Sequence, residues 1–310
     1  MLNSNPTHSL KRWVKNIVVV HLFMSSLVHG QIMNEVSTHL PLPGARAAAM
    51  GDAYTAEAPD VLMMYWNPGA LPFLEQTSVV FDHYSETPTH VMNDVIAVPV
   101  FLTENTTISL GGVLSHIGYI TSGQLSGTRS LQFGLSLGYS RILAPGFGVG
   151  LTATGVYLDF QGQRSWSGSW MAGLLYTPSP EISYGMVFSD VVDGAQIQRS
   201  TRLIQKTLPR RLEIGLSLRY PFSAKRHVVT VSFANEKVFN EFGLLYKAGL
   251  EVSPFRFLAL RWGYYLTGHD VPGERYGAGI RTDVVQLDYA ISPTLRDIQF
   301  QQLTLSITFK

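Results

Sequence analysis

Gly134-Leu135-Ser136-Leu137-Gly138 has the G-x-S-x-G spacing that, in a nucleophile elbow, presents a serine hydroxyl for acyl transfer. That chemistry needs a strained strand-to-helix turn and a histidine within reach of the serine. Here Ser136 lies inside "SLQFGLSLGYS", which alternates without interruption, and no helical pattern follows. The match reads as chance in a strand rich in Gly and Ser. The nine histidines are scattered, with no H-E-x-x-H and no Cys/His spacing, so no catalytic residue, metal or cofactor is expected. His116, close to Gly111-Gly112, reads as a wall or interface residue and not as a base. A hydrolase built into strands, pairing Ser with His, stands last among the functional readings.

These residues depend on a scaffold that begins after an export signal. Lys11, Arg12 and Lys15 precede the apolar run "IVVVHLFMSSLV", which leads to Val28-His29-Gly30. A basic start, an apolar core of about a dozen residues and a small residue at the exit make a secretory signal peptide, and the core is short of the ~20 residues of a membrane helix. Residues 1–30 are assigned to it. The chain has no cysteine, which removes lipid attachment at a mature N-terminal Cys as well as disulfides. Its 310 residues carry a formal net charge of +1 with 15% charged side chains. There is no basic stripe and no low-complexity block, so nucleic acid is not an expected partner. Aromatics at 11% and 28 glycines favour a β-rich protein. No later stretch offers ~18 consecutive apolar residues, so a membrane crossing here has to use strands.

From residue 77 to 310 about fourteen strand candidates can be marked by alternation. In the run around Ser136, Leu131, Phe133, Leu135, Leu137 and Tyr139 share one face, against Gln132, Gly134, Ser136, Gly138 and Ser140. "RRLEIGLSLRY" sends Leu212, Ile214, Leu216 and Leu218 one way and Arg211, Glu213, Ser217 and Arg219 the other. "EFGLLYKAGLEV" and the closing "QLTLSITFK" repeat the pattern. A soluble sandwich also alternates. Two features favour a transmembrane barrel. Several runs are long enough to span a bilayer at a tilt, and tight connections ("LTEN", "LAPG", "TPSPE", "SPF", "TD") alternate with longer ones (Ile120–Thr128, Asp190–Leu208, Thr267–Gly273, Pro293–Gln299). The expected fold is all-β, an antiparallel transmembrane barrel of about 14 strands in outer-membrane lipid, with both termini periplasmic. Tyr119, Tyr139, Tyr157, Tyr220, Trp262, Tyr264 and Phe309 are candidates for its interfacial girdles. In "TTISLGGVLSHIGY" the apolar phase slips after Leu110, and Gly111-Gly112 would suit a bulge there. "NDVIAVPVF" is apolar on both faces, and Pro99 removes a ladder donor.

A barrel of this size encloses a lumen, and residues 31–76 are expected to occupy it as a hatch. The small residues Gly44, Ala45, Ala47, Ala48, Ala49, Gly51 and Ala53 allow close approach to a wall, and Asn67-Pro68-Gly69 supplies a turn. Arg46 and Asp60 are expected to meet lumen-facing charges, for which Glu213, Lys247, Glu251 and Asp288 are candidates. An ordinary periplasmic arm with a short helix is the alternative for this segment.

The segment "GARAAAMGDAYTAEAPDVLMMYWNPGAL" resembles the N-terminal motif of the PorV/PorQ family within the wider FadL-like outer-membrane barrels. The Gly-Ala-Arg-Ala start, the Met50-Gly51 pair, Asp60, and Trp66-Asn67-Pro68 before an apolar residue occur in the family's order. "ERYGAGIRTDVVQLDYAISP" and "QQLTLSITFK" are similar to its closing strands. Asp52, Gly69 and Lys310 depart from the pattern. The resemblance implies a fourteen-stranded barrel with its hatch inside, and a hatch motif comprising Gly44, Ala45, Arg46, Met50, Gly51, Asp60, Trp66, Asn67 and Pro68. Similar barrels include passive channels for hydrophobic small molecules and accessory barrels that dock proteins of type IX secretion. Passage of a hydrophobic solute ranks first here, because a plugged, mostly uncharged lumen suits it; docking of secretion partners is the alternative.

Overall fold

An alternating strand buries only one of its faces, so the first question is which face left water. Leu131, Phe133, Leu135, Leu137 and Tyr139 are all exposed, Leu135 by 61%, while Ser136 and Ser140 on the opposite face are buried. Apolar side chains therefore point out and hydroxyls point in. That is the inverse of a soluble sandwich and the pattern of a bilayer-facing wall.

The computed structural model describes residues 42–310 except 58, 88–89, 118–129, 161, 193–195, 200–201, 206–209, 222–227, 240–242, 267–272, 293–298 and 310. The signal-peptide assignment at residues 1–30, the first residues of the expected hatch, Tyr119, Lys310 and most of the longer connections lie outside the described residues.

The strands are β1 (Thr77–Thr87), β2 (Val91–Thr103), β3 (Thr106–Ile117), β4 (Ser130–Ala144), β5 (Phe147–Phe160), β6 (Gln163–Ser179), β7 (Ile182–Val192), β8 (Gln196–Arg199), β9 (Arg202–Gln205), β10 (Arg211–Pro221), β11 (Val228–Val238), β12 (Leu245–Phe255), β13 (Leu258–Leu266), β14 (Gly273–Arg281), β15 (Val285–Ile291) and β16 (Gln299–Phe309). All but β8 and β9 form one closed antiparallel barrel of 14 strands, in which β7 pairs with β10 and β1 with β16. The connection Asp190–Leu208, expected as a plain loop, carries the β8–β9 ribbon.

The closing pair begins at Thr77↔Phe309, so the first and last strands have their outer ends at one rim. The tight hairpins β2–β3, β4–β5, β6–β7 and β12–β13 share that rim, and each has its register shift beside its turn: Phe101/Thr103, Ile142/Ala144, Tyr176/Ser179 and Val252/Phe255. Bulges at hairpin ends accommodate the twist without breaking the wall above them.

The bulge expected at Gly111-Gly112 is absent. The strand β3 runs in unbroken register there, with Ala97↔Gly111, Ile96↔Gly112 and Gly112↔Leu135. The apparent slip in phase arises because Val113, an inward residue, packs on an apolar cluster inside the barrel. The same cluster explains β2, whose inward Val95 and Ala97 are buried against it while Ile96 and Val100 face out. Pro99 is accommodated within β2 opposite Ser109. What looked like a failure of alternation is a wall with apolar contacts on both sides.

That cluster is built mainly from residues that precede the barrel. Tyr54, Val61, Leu62, Met63, Met64, Trp66 and Leu71 form it together with Val80, Val95, Ala97 and Leu175 of the wall. A second cluster joins Ala45, Ala48 and Ala49 to Tyr84, Ala290 and Phe300. The apolar core of the molecule thus lies inside the ring of strands.

Candidate functional site

The segment from Pro43 to Gln76 folds locally as its sequence dictates. The alanine run makes a short helix, α1 (Ala45–Ala49), which stops where Gly51 and Asp52 take positive φ of 62° and 61°. A second turn of helix, α2 (Met63–Trp66), leads into a 3-10 helix over Pro68–Phe73. Its first turn is capped by Asn67, whose Oδ1 accepts the Gly69 amide at 3.0 Å, with Pro68 in the position that needs no donor. The expected turn at Asn67-Pro68-Gly69 is the start of this helix.

The wall makes room for this backbone by omitting side chains. Gly249 and Gly263 are directly paired across β12 and β13, and a Cβ on Gly263 would lie 2.6 Å from Ala49 O, with Gly51 N closer still. Gly185↔Gly215 receives Thr55 and Ala56 in the same way, and Gly150↔Gly173 receives Pro68 and Gly69. Each pair is a window in the inward row, closed by backbone from the segment. The sequence signal for this is glycine at inward parity on neighbouring strands, which composition alone does not distinguish from turn glycine.

Charge does the rest of the positioning. The guanidinium of Arg46 is enclosed: Nε donates to Glu251 at 2.9 Å, Nη2 to Glu57 at 2.9 Å and Nη1 to the Tyr54 hydroxyl at 3.0 Å. The wall continues the network. Arg261 donates to Glu251 at 2.6 Å and to Asp288 at 2.7 Å, and Lys247 to Glu213 at 2.7 Å and Glu236 at 2.6 Å. Fully buried Glu57 also accepts from Ser217 at 2.9 Å and from Ser232. A charge taken from water costs several kcal/mol unless partnered, and each of these has partners of opposite sign or hydrogen-bond donors.

Of the charges expected to meet, Arg46 and Glu251 do. Asp60 does not reach the wall charges. Its carboxylate accepts from Tyr54 Oη and from the Leu62 amide at 2.8 Å, because an Asp side chain readily closes a turn on the amide two residues ahead. Burial pushes both the Asp60 carboxyl and the Tyr54 hydroxyl above their ordinary values; the Tyr54 hydrogen bond works against the rise at Asp60, and Arg46 works against the rise at Tyr54. Glu213 and Lys247 pair with each other and meet the segment through Thr55, while Asp288 is linked to Arg46 only by way of Arg261 and Glu251. The sequence reading missed Glu57, Thr55 and the 2.8 Å pair between Asp52 and Arg275. Nothing in the residue pattern separates Glu57 from a solvated acid until its two serines are placed opposite it.

The remaining motif residues are structural joints. Gly44 has φ 116° and precedes α1, whose first amide, on Ala45, donates to Thr304 Oγ1 at 2.7 Å. Met50 is fully buried with its carbonyl against Gly249. The Trp66 indole donates to Pro43 O at 2.8 Å and meets Tyr54 edge-on at 5.7 Å. Asn67 Nδ2 donates both to Thr55 O at 2.7 Å and to Leu174 O in the wall at 2.9 Å. Replacing Asn67 with alanine strands two carbonyls and the Gly69 amide in a dry site, so a loss of about 2–4 kcal/mol is expected. Guanidinium unfolding in detergent should show it as an earlier transition, with Glu104→Ala, at an exposed turn position, unchanged.

Below the segment, toward the rim that holds both strand termini, is a polar cavity of about 610 Å³ lined by Arg46, Asp60, Asp288, Arg281, Thr304 and Ser78 among others. Ser136 faces inward with its Oγ 2.8 Å from Thr154 Oγ1. His116 pairs in register with exposed Leu131 on the outward row. Ser136 and His116 therefore lie on opposite faces of the wall.

No protein-family model matches the chain, and no curated protein does. Solved structures do. The toluene transporter TodX of Pseudomonas putida aligns with a TM-score of 0.63 at 13% identity, covering 87% of this chain and 98% of its own. The toluene transporter TbuX of Ralstonia pickettii aligns with a TM-score of 0.60 at 14% identity over 86% and 97%. A FadL homologue of Pseudomonas aeruginosa gives 0.50 at 12% identity over 87% and 98%. At such identities the likeness is one of fold, a closed antiparallel barrel.

Proposed function

We propose that this chain is an outer-membrane barrel for passive passage of uncharged hydrophobic small molecules, with residues 31–76 acting as a movable hatch. The observation that carries this reading is where the apolar core lies. Tyr54, Met63, Met64, Trp66 and Leu71 are buried inside the strand ring, so an apolar solute entering there exchanges one apolar contact for another. An ion would need a wet route through a segment packed backbone to backbone on the wall. The neighbouring folds of toluene transporters support the same class of solute. Passage down a gradient needs no catalytic group, and none is assigned.

In this reading the shared rim of β1 and β16 faces the periplasm, which the tight hairpins at that rim favour. Residues 1–30 are removed on export, and mass spectrometry of the purified protein should give a chain starting near Gln31; a chain retaining Lys11 would contradict it. The secretion-accessory role implied by the PorV/PorQ resemblance has no docking feature among the described residues to favour it.

The test is uptake. Cells lacking the protein should take up labelled toluene more slowly than complemented cells. Replacing Trp66 and Asn67 together with alanine should change the rate while the barrel still migrates faster unheated than boiled. Uptake indifferent to the protein, with cross-linking to secretion components instead, would overturn the proposal.

A further inference from the structure

The inner wall is divided by charge. On β2 through β7 the described inward residues are uncharged, for example Asn93, Val95, Ser109, Ser136, Thr152 and Val187. The inward charges Glu213, Glu236, Lys247, Glu251, Arg261 and Asp288 pair with one another on β10 to β15, and β1, outside the uncharged strands, holds the buried carboxylate of Asp82 against Gln302 and Thr304. The segment is divided in the same sense. Its ion pairs to the wall, Arg46 with Glu251 and Asp52 with Arg275, end on β12 and β14. Its limb Met63–Phe73 lies on β3 to β6 with apolar contacts, glycine windows and the hydrogen bond from Asn67 to Leu174 O.

One more feature marks that uncharged half. The hydroxyls of Ser109, Ser140 and Thr152 are buried there without a hydrogen-bond partner. Ser109 and Thr152 flank Gly138 in one inward row, and Ser140 stands beside Gly150 in the next. Buried hydroxyls without partners are costly, and three of them in adjoining rows call for an explanation that a received polar group would supply.

We infer that solute passes along this seam, between the Met63–Phe73 limb and β3–β6, while the Ala45–Glu57 limb stays anchored on β10–β15. The solute it selects is uncharged and carries at most a small hydrogen-bonding group such as a hydroxyl. This rests on the passage reading above. Lifting the charged limb would part Arg46 from Glu251, Asp52 from Arg275 and buried Glu57 from Ser217 and Ser232, a strongly unfavourable step. Lifting the other limb gives up apolar contacts and a hydrogen bond, which an apolar solute replaces. A carboxylate entering the seam would find no cation on its walls and would be excluded by desolvation. An alcohol of the same skeleton would give Ser109, Ser140 and Thr152 a partner.

Because the chain has no cysteine, single thiols can report which limb moves. Ala70 on the seam limb and Ala48 on the anchored limb are both buried, at 0% and 4% exposure. In outer membranes holding the full chain, Ala70→Cys should react with a water-soluble maleimide at least about tenfold faster than Ala48→Cys, since reaction of a buried thiol waits on local opening. Benzyl alcohol should raise the Ala70→Cys rate and benzoate should not. Leu71→Cys serves as a second seam position if Ala70→Cys fails to give a heat-modifiable barrel. Equal rates on the two limbs, faster reaction at Ala48→Cys, or no reaction at either would overturn the seam, and an equal response to benzoate would overturn the solute class. Toluene uptake by the unmodified protein is measured in parallel. If uptake is absent yet the seam thiol is the faster, passage fails and the moving limb stands; if uptake is present with equal rates, the reverse holds.

Discussion

Gly263→Val is expected to open the barrel to ions. A Cβ at residue 263 would meet Ala49 O at 2.6 Å and Gly51 N and Met50 C at least as closely, all of them backbone atoms that cannot swing aside as a side chain can. The wall strand itself is suited to valine, a good strand former. The substitution should thus leave the ladder intact and expel α1 and the Gly51-Asp52 reversal from the wall. Planar-bilayer recordings should show a several-fold larger conductance than the unmodified protein, with heat modifiability retained. Gly155→Val is the control, because a Cβ there meets nothing within 4 Å; it should conduct as the parent does. Equal conductance of the two variants would mean that the segment does not depend on the Gly249–Gly263 window.

The second large effect is expected at Arg46. Its guanidinium serves Glu57, Glu251 and Tyr54 at once, and Arg46→Ala leaves Glu57 with only the hydroxyls of Ser217 and Ser232 among the partners described above. Breaking a buried pair by removing one member costs about 3–5 kcal/mol. The loss should appear as release of the segment before the barrel unfolds: chymotrypsin should cut between Tyr54 and Trp66 in the variant and spare the parent. Arg46→Lys should recover little, since a single ammonium cannot fork toward two carboxylates and a phenol. Full protection in Arg46→Lys would show that charge alone, without the fork, holds the limb.

Much of the barrel was legible because period-two alternation survives in strands such as β4, β10 and β16 and the tight turns are marked by Pro, Gly, Asp or Asn. It was least legible at β2 and β3. There the inward Val95, Ala97 and Val113 pack on an apolar interior, so neither face is polar and the pattern loses phase. The Gly111-Gly112 step invited a bulge for the same reason, although Gly111 faces Tyr65 and Gly112 faces outward within a continuous ladder.

For the inner segment, the alanine run, Arg46 and the Asn67-Pro68-Gly69 turn could be singled out by residue type, Trp66 by the family resemblance, and Glu251 by its charge at inward parity. The partners of Asp60 could not. A carboxylate that is free to close its own turn does so unless a cation is placed closer, and such placement is a property of the assembled wall. The wall contacts of Glu57 and Asp52 were invisible for a related reason, since they are made to strands more than a hundred residues away. Windows such as Gly185↔Gly215 also need the register before they can be seen.

A barrel closed to ions by its own N-terminal segment and passing an uncharged hydrophobic solute should show both properties in paired measurements on one deletion. The full chain should show little ion conductance in planar bilayers and speed toluene uptake in cells. A chain lacking residues 43–76 but keeping the barrel should conduct as a steady open pore. A full chain that already conducts like the deletion would mean that the segment does not close the barrel, and one that leaves toluene uptake at the rate of cells without it would mean that no such solute passes.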